Sequence, residues 1–115
     1  NLGLGDIAKA GVATGVMAWP GYAILPLIIN GAKVNLILQW GVTPVTAVPG
    51  SVTGTYPITF PNSVLFIGLS ENSNTAQAVA AWGVGPKNTT NFTAYVQAAG
   101  GPSTSEQVNF FAIGF

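Results

Sequence analysis

Over the C-terminal part of the chain, hydrophobic and polar residues alternate in short runs, the pattern of β-strands. In the first run Val34, Leu36 and Leu38 share one face, while Asn35 and Gln39 fall on the other. Clusters rich in Gly, Pro, Asn and Ser separate six such runs, at residues 34–40, 51–60, 64–69, 76–84, 89–97 and 107–115. We expect a mainly β fold with almost no helix, a small antiparallel β-sandwich of about six short strands.

The N-terminal residues 1–32 have a different pattern, rich in Gly and Ala with little alternation. Pro20 and Pro26 interrupt the longest apolar stretch, and proline within sheets is confined to edges and bends. The contrast predicts two parts: a connector with little regular structure over residues 1–32 and a β-rich domain over residues 33–115.

The order of the predicted strands divides the loops between two ends of the sandwich. If consecutive strands run up and down, the loops near residues 42–50, 70–75 and 98–105 share one end. The turns at 61–63 and 85–88 share the other end with the entry of the chain into the domain and with its C-terminus. Because the connector arrives at the second end, the first end is the one expected to meet a partner.

Charged residues are scarce, at 5% of the chain, where an average soluble protein carries about 25%. The chain has three basic residues, all of them Lys, three carboxylates, and no His or Cys. The usual zinc sites, thiol nucleophiles and Ser-His-Asp triads are therefore excluded, and no cofactor is predicted. Three Lys without any Arg also argue against a nucleic-acid partner, which needs a phosphate-neutralising surface.

So little charge suggests that much of the surface is buried, either in an oligomer or in lipid. The 23 uncharged residues between Lys9 and Lys33 are long enough to cross about 30 Å of hydrocarbon, but Pro20, Pro26 and Gly31 interrupt them. An outer-membrane β-barrel segment is an alternative because the chain ends in alternating aromatic and apolar residues, yet the intervening positions are apolar too. Burial in an oligomer is favoured, and the chain is not expected to be membrane-embedded.

Four motifs along the chain resemble tail fibre proteins of tailed bacteriophages. Leu2-Gly3-Leu4-Gly5, followed by Ala8-Lys9 and Thr14-Gly15, is similar to a segment that recurs in the fibre shaft. Leu38-Gln39-Trp40-Gly41 resembles the Ile-Gln-Trp-Gly that opens the C-terminal tip domain, and Phe60-Pro61-Asn62 resembles a Phe-Pro turn in its middle. The last six residues are similar to the family ending Trp-x-Ala-Ile-Gly-Tyr/Phe, with Phe110 where Trp is usual.

This resemblance to the receptor-binding tip of a tail fibre, with the last part of the shaft, covers nearly the whole chain. It implies an intertwined homotrimer at the fibre tip of a virion, made in the cytoplasm of the bacterial host. It also implies a non-enzymatic adhesin for host attachment that binds a bacterial surface glycan such as lipopolysaccharide. Many fibres of this kind need a dedicated tail fibre assembly chaperone, which is a further expected partner.

The candidate receptor-binding residues are polar side chains of two loops and two aromatic rings. Amide and hydroxyl groups offer both donors and acceptors to sugar hydroxyls, although such residues are also common in ordinary turns. Aromatic rings suit the apolar faces of sugar rings, and the Gly and Ala residues around these two leave them little cover. The predicted residues are Glu71, Asn72, Ser73, Asn74, Thr75, Ser103, Thr104, Glu106, Trp82 and Tyr95.

A polysaccharide depolymerase tip is the enzymatic alternative. Glycoside hydrolysis needs two carboxylates at a set separation, and Glu71 and Glu106 are the only carboxylates besides Asp6. The spacing along the chain does not show that the two converge, so the adhesin is the preferred hypothesis.

Overall fold

The computed structural model describes residues 10–46, 48–73, 75–76, 79–97, 101 and 106–115. Its strands are β1 (Thr14–Val16), β2 (Gly21–Ile29), β3 (Ala32–Val42), β4 (Ser51–Thr55), β5 (Val64–Glu71), β6 (Ala81–Lys87), β7 (Asn91–Gln97) and β8 (Val108–Gly114). In the part of the chain described, no helix has the length and apolar content needed to cross a membrane.

The strands form two antiparallel sheets that pack face to face. One sheet has five strands in the order β1-β2-β3-β8-β5, and the other has three in the order β4-β7-β6. Alternate residues of the central strands point into the space between the sheets, so that Phe92 and Ala94 of β7 meet Phe110 and Ala112 of β8. The predicted mainly β, antiparallel sandwich is confirmed.

Aromatic rings fill the middle of the core. Tyr56 contacts Phe60 edge-on, with ring centroids 4.9 Å apart, and stacks on Phe92 at 5.6 Å. Phe110 of the five-stranded sheet meets Phe92 at 5.2 Å. The Phe92 ring lies against the backbone of Gly54, where an added Cβ would sit 2.3 Å from the ring. Each buried Phe contributes about 1.5–3 kcal/mol by leaving water, and together these rings hold the two sheets together.

The prediction of a connector with little regular structure over residues 1–32 is wrong for residues 21–29, which form β2 and pair with β3 along the whole length of β2. Alternation failed as a guide because β2 is apolar on both faces. Pro26 is accommodated because β1 pairs only with residues 22–24, which leaves its position on an open edge. Asn30 and Gly31 both have positive φ and close the β2–β3 hairpin, as an Asn-Gly pair commonly does.

Two predicted strand boundaries also move. The run at 51–60 leaves its sheet after Thr55, and the chain then crosses towards the other sheet. There the buried Gln39 amide exchanges two hydrogen bonds of 2.8 Å with the backbone of Ile58. The run at 76–84 is a strand only from Ala81, and it continues to Lys87 because β6 is an edge strand that tolerates Pro86.

The predicted division of the loops between two ends is confirmed for the described residues. Val42 pairs with Asn109 and Glu71 pairs with Val108, so the ends of β3 and β5 lie beside the start of β8. We call this the loop end. At the opposite end, the amide N–H of Ser63 donates to the Phe115 carbonyl.

Candidate functional site

The outer face of the five-stranded sheet is apolar. Leu38, Ile113 and Phe66 lie side by side in one row across three strands, and Trp40 and Phe111 are neighbours in the next. Phe66 is 59% exposed and Phe111 40%, although both are large hydrophobic residues. The indole N–H of the neighbouring Trp40 donates to the Ala18 carbonyl at 2.8 Å and so is satisfied within the chain. We call this surface the apolar face.

The outer face of the three-stranded sheet is polar and has one aromatic ring. It consists of the residues that alternate with the buried Gly54, Phe92, Ala94 and Val96. Its strands contain no charged residue from Ser51 to Thr55, Ala81 to Gly85 or Asn91 to Gln97. We call this surface the polar face; its members are Ser51, Thr53, Thr55, Ala81, Gly83, Gly85, Thr93, Tyr95 and Gln97.

Tyr95 is at the middle of the polar face. Its side chain is 50% exposed, and its ring lies against Gly85, where an added Cβ would sit 2.3 Å from the ring. On either side it pairs with Ser51 of β4 and Gly83 of β6. An added Cβ at Gly83 would meet nothing within 4 Å, so one flank of the ring is open. A groove of about 480 Å³ runs beside Tyr95 to Gln97.

Glu71 joins the two sheets at the loop end. Its Oε1 accepts hydrogen bonds from the Trp82 indole N–H at 3.0 Å and from the backbone N–H of Asn72 at 3.2 Å. Its Oε2 accepts one from the backbone N–H of Ala80. Because Trp82 also packs against the core, this carboxylate attaches the edge of the three-stranded sheet to the end of β5.

The predicted site residues fall into three places. Five lie at the loop end: Glu71, Asn72, Ser73, Thr75 and Glu106. Tyr95 lies on the polar face, and Trp82 lies on the inner side of β6, half-buried with its N–H bound to Glu71. Asn74, Ser103 and Thr104 lie outside the described residues. The structure thus brings Glu106 to the same end as Glu71 and its loop neighbours, and it places Tyr95 and Trp82 on opposite faces of the same sheet.

Sequence reasoning did not find the polar neighbours of Tyr95. Ser51 and Thr53 belong to β4, which pairs with β7 across more than thirty-five residues of chain. The alternating Ser and Thr of the run at 51–60 was a local signal for an exposed polar face. Nothing in the sequence placed that face beside Tyr95.

The described residues contain no group of three His, Cys, Asp or Glu side chains that could hold a metal ion. The titratable group with a marked shift is a core residue, where burial raises the pKa of Tyr56 to about 12. Chemically, the exposed surfaces therefore offer hydroxyls, amides and one half-exposed ring on the polar face, and hydrophobic side chains on the apolar face.

Comparison with known proteins places this architecture among tail fibers. The protein is 30% identical over 118 residues to the uncharacterized protein StfP of Escherichia coli (strain K12). The alignment covers 100% of this chain and 54% of StfP, so the chain spans about half the length of that curated relative.

Two solved pyocin fibers have a similar fold. The C-terminal part of the P. aeruginosa R2 pyocin fiber matches with a TM-score of 0.71 and 20% identity, over 97% of this chain and 28% of that one. An N-truncated R1-type pyocin tail fiber matches with a TM-score of 0.71 and 20% identity, over 97% of this chain and 93% of that one.

The family itself is established by sequence. The family model for tail fiber protein gp53-like, C-terminal, matches residues 34–115, which is most of the chain. The resemblance inferred from the four motifs is thereby confirmed, and the protein belongs to the gp53-like family of tail fiber C-terminal domains.

Proposed function

We propose that this domain is a homotrimeric, non-catalytic adhesin that attaches a tail fiber to a bacterial surface glycan such as lipopolysaccharide. The observation that carries the proposal is the contrast between the two outer faces. The apolar face is suited to contacts between copies of the chain, and the polar face and the loop end stay in water. Tail fiber family membership supports a role in host attachment, and a tail fibre assembly chaperone is a further proposed partner.

The apolar face supports self-association. Exposed side chains as large as Phe66 and Phe111, with Leu38, Trp40 and Ile113 between them, form a continuous hydrophobic surface in one subunit. Interfaces of obligate oligomers are more apolar than transient ones. With charged residues at 5% of the chain, covering this face with further copies would also account for the scarcity of charge.

The β2–β3 hairpin supports the same conclusion. β8 pairs with β3 only from Ile37 onward, so residues 25–36 extend beyond the sandwich as a two-stranded arm. Its residues include Leu25, Leu27 and Leu36, which are only half-buried. A two-stranded hairpin on its own is marginally stable in water. An arm of this composition is therefore expected to pack on neighbouring subunits, which would intertwine them.

A glycan is the proposed receptor because the polar surfaces are uncharged and rich in hydroxyl and amide groups. Such groups can both donate hydrogen bonds to sugar hydroxyls and accept hydrogen bonds from them. Three identical sites on one trimer can raise avidity by roughly 10²–10⁴ over a single site. A weak individual site is then sufficient for attachment that is reversible during search and firm once several sites are engaged.

We propose adhesion without catalysis because Glu71, one of the two carboxylates of the depolymerase alternative, already accepts three hydrogen bonds from its own chain. A carboxylate used to hold two sheets together is poorly placed to exchange protons with a glycosidic oxygen. Incubation with bacterial polysaccharides is expected to release no reducing sugar ends, and release that Glu71→Gln abolishes would support the depolymerase instead.

Two measurements test the proposal. Light scattering should give a mass near three times 11.7 kDa, retained in SDS at room temperature, and labelled domain should bind whole host bacteria. A monomer in solution would contradict the trimer. A trimer that binds no bacteria to which the intact fiber attaches would contradict the adhesin.

A further inference from the structure

We propose that the polar face contains a binding site for a neutral pyranose sugar, which stacks its apolar face on the ring of Tyr95. The proposal rests on the adhesin function and goes further, because it assigns the site to a sheet face instead of the end loops and specifies the chemistry of the sugar.

Tyr95 has the geometry of a stacking platform. Half of the side chain is exposed, and the ring contacts Gly85 so closely that any side chain there would displace it. A ring held against the backbone loses little freedom when a ligand covers it, so stacking has a small entropic cost. Tyrosine also has a hydroxyl at the end of the ring that can bond to a sugar.

Hydrogen-bonding groups surround this platform on two sides. Ser51 is the direct cross-strand neighbour of Tyr95, and Thr93 and Gln97 are the next outward residues along β7 itself. Hydroxyl and amide groups both donate and accept, which matches the hydroxyls around the edge of a pyranose ring.

The open side of the platform leaves room for the sugar. Gly83 pairs with Tyr95 and has free space above it, and the adjoining groove of about 480 Å³ reaches Gln97. This volume is within the usual range for small-ligand sites, about 300–1,000 Å³. The groove also leads towards the loop end, so a chain of sugars could extend in that direction.

The absence of charge selects a neutral sugar. None of the three strand segments that form the polar face contains Lys, Arg, Asp or Glu between Ser51 and Thr55, Ala81 and Gly85, or Asn91 and Gln97. Phosphate and carboxylate groups on a glycan are usually held by Arg or Lys. Binding at this site should therefore change less than twofold between about 0.05 and about 0.5 M salt, because screening acts on charges.

The test measures binding of the trimer to an array of purified bacterial surface polysaccharides, including lipopolysaccharides, with whole bacteria as a second target. Tyr95→Ala should weaken binding by roughly tenfold or more per site, a loss that three-site avidity enlarges. Tyr95→Phe keeps the ring and should stay within about threefold of the wild type. Gly83→Ile fills the open flank with a strand-favouring side chain and should weaken binding as Tyr95→Ala does.

Thr59→Ile is the matched control, because it places the same Ile side chain at an exposed position outside the polar face and the loop end. It should leave binding unchanged, whereas Thr75→Ile places an Ile side chain at the loop end and tests a receptor site formed by the loops. If Tyr95→Ala and Gly83→Ile bind normally as intact trimers while Thr75→Ile does not, the sheet-face site is wrong and the adhesin function stands. If the wild-type trimer binds neither the array nor bacteria, the proposed function itself fails.

Discussion

The two sheets are built from the same period-two alternation, yet their outer faces are opposite in character. The apolar face exposes Phe66 and Phe111 beside Leu38 and Ile113, whereas the polar face exposes Ser, Thr and Gln around the single ring of Tyr95. Alternation alone explains why each sheet has a buried inner face. What the outer face contains then decides whether the sheet associates with other copies or stays in water.

The contrast is sharpest along β3. Its inner side contributes Ile37 and the fully buried amide Gln39, and its outer side contributes Leu36 and Leu38. The more hydrophobic side of this strand thus faces away from the core of its own subunit. In a monomer this arrangement leaves the hydrophobic side of β3 exposed to water, whereas in an oligomer other copies of the chain would cover it.

The largest expected effect comes from placing a charge on the apolar face. Phe111→Glu removes a ring from its middle and would bury a carboxylate between subunits, at a cost of several kcal/mol in each copy. We expect the trimer not to assemble, with light scattering reporting monomers or aggregates.

Thr55→Glu is the control for this charge, because it adds the same carboxylate to an exposed position of the polar face. It should leave a trimer of normal mass. If Phe111→Glu assembles as well as Thr55→Glu does, the apolar face is not the surface between subunits.

A smaller effect is expected where the two sheets are joined. Glu71→Ala removes three hydrogen bonds and leaves the partly buried Trp82 N–H without its partner. Unsatisfied buried groups cost about 1–3 kcal/mol, so the trimer should lose about 2 kcal/mol of unfolding free energy per subunit in guanidinium titrations at matched protein concentration. Binding by the protein that remains folded should be normal, since Glu71 is not on the polar face.

Asn72→Ala provides the comparison, because its side chain is exposed at the same turn. It should change the unfolding free energy by no more than about 0.5 kcal/mol. Normal stability of Glu71→Ala combined with lost binding would instead assign Glu71 to the receptor site, as the sequence first suggested.

Much of the fold could be predicted from the sequence because most strands keep one apolar side and end at turn residues. The run at 89–97 became β7 with Phe92, Ala94 and Val96 buried, as alternation requires. β2 was missed because Tyr22 to Ile29 is apolar on both sides, although the Asn30-Gly31 pair after it is a strong hairpin signal. Periodicity is informative only where one side of a strand remains in water.

The candidate site was less accessible to sequence reasoning because it depends on pairings that are distant in the chain. The loop end could be inferred from strand order alone. The neighbours of Tyr95 could not, since nothing local indicates that Ser51 lies beside it. The role of Trp82 was also hidden, because its partner Glu71 lies at the end of another strand.

The smallest expected effect comes from comparing two tyrosines. Tyr56 lies in the core between the two sheets, and Tyr95 lies on the polar face. Tyr56 is 4% exposed, and its hydroxyl finds no hydrogen-bond partner among the residues that the structure describes. Tyr56→Phe removes that unsatisfied group and keeps the ring contacts with Phe60 and Phe92. We expect about 1 kcal/mol of added unfolding free energy per subunit at pH 8. The control Tyr95→Phe should change it by less than about 0.5 kcal/mol.

The same pair of variants gives a pH test. Burial raises the pKa of Tyr56 from 10.0 to about 12, so in the folded state the phenol stays protonated at pH values where the unfolded chain releases its proton. The stability linked to this group is complete below pH 10 and is lost as the pH rises towards 12. The advantage of Tyr56→Phe over the wild type should therefore grow by about 2 kcal/mol across that interval. If the difference in unfolding free energy between Tyr56→Phe and the wild type stayed constant from pH 8 to 12, water would reach the Tyr56 phenol, and the core between the two sheets would not be closed to solvent.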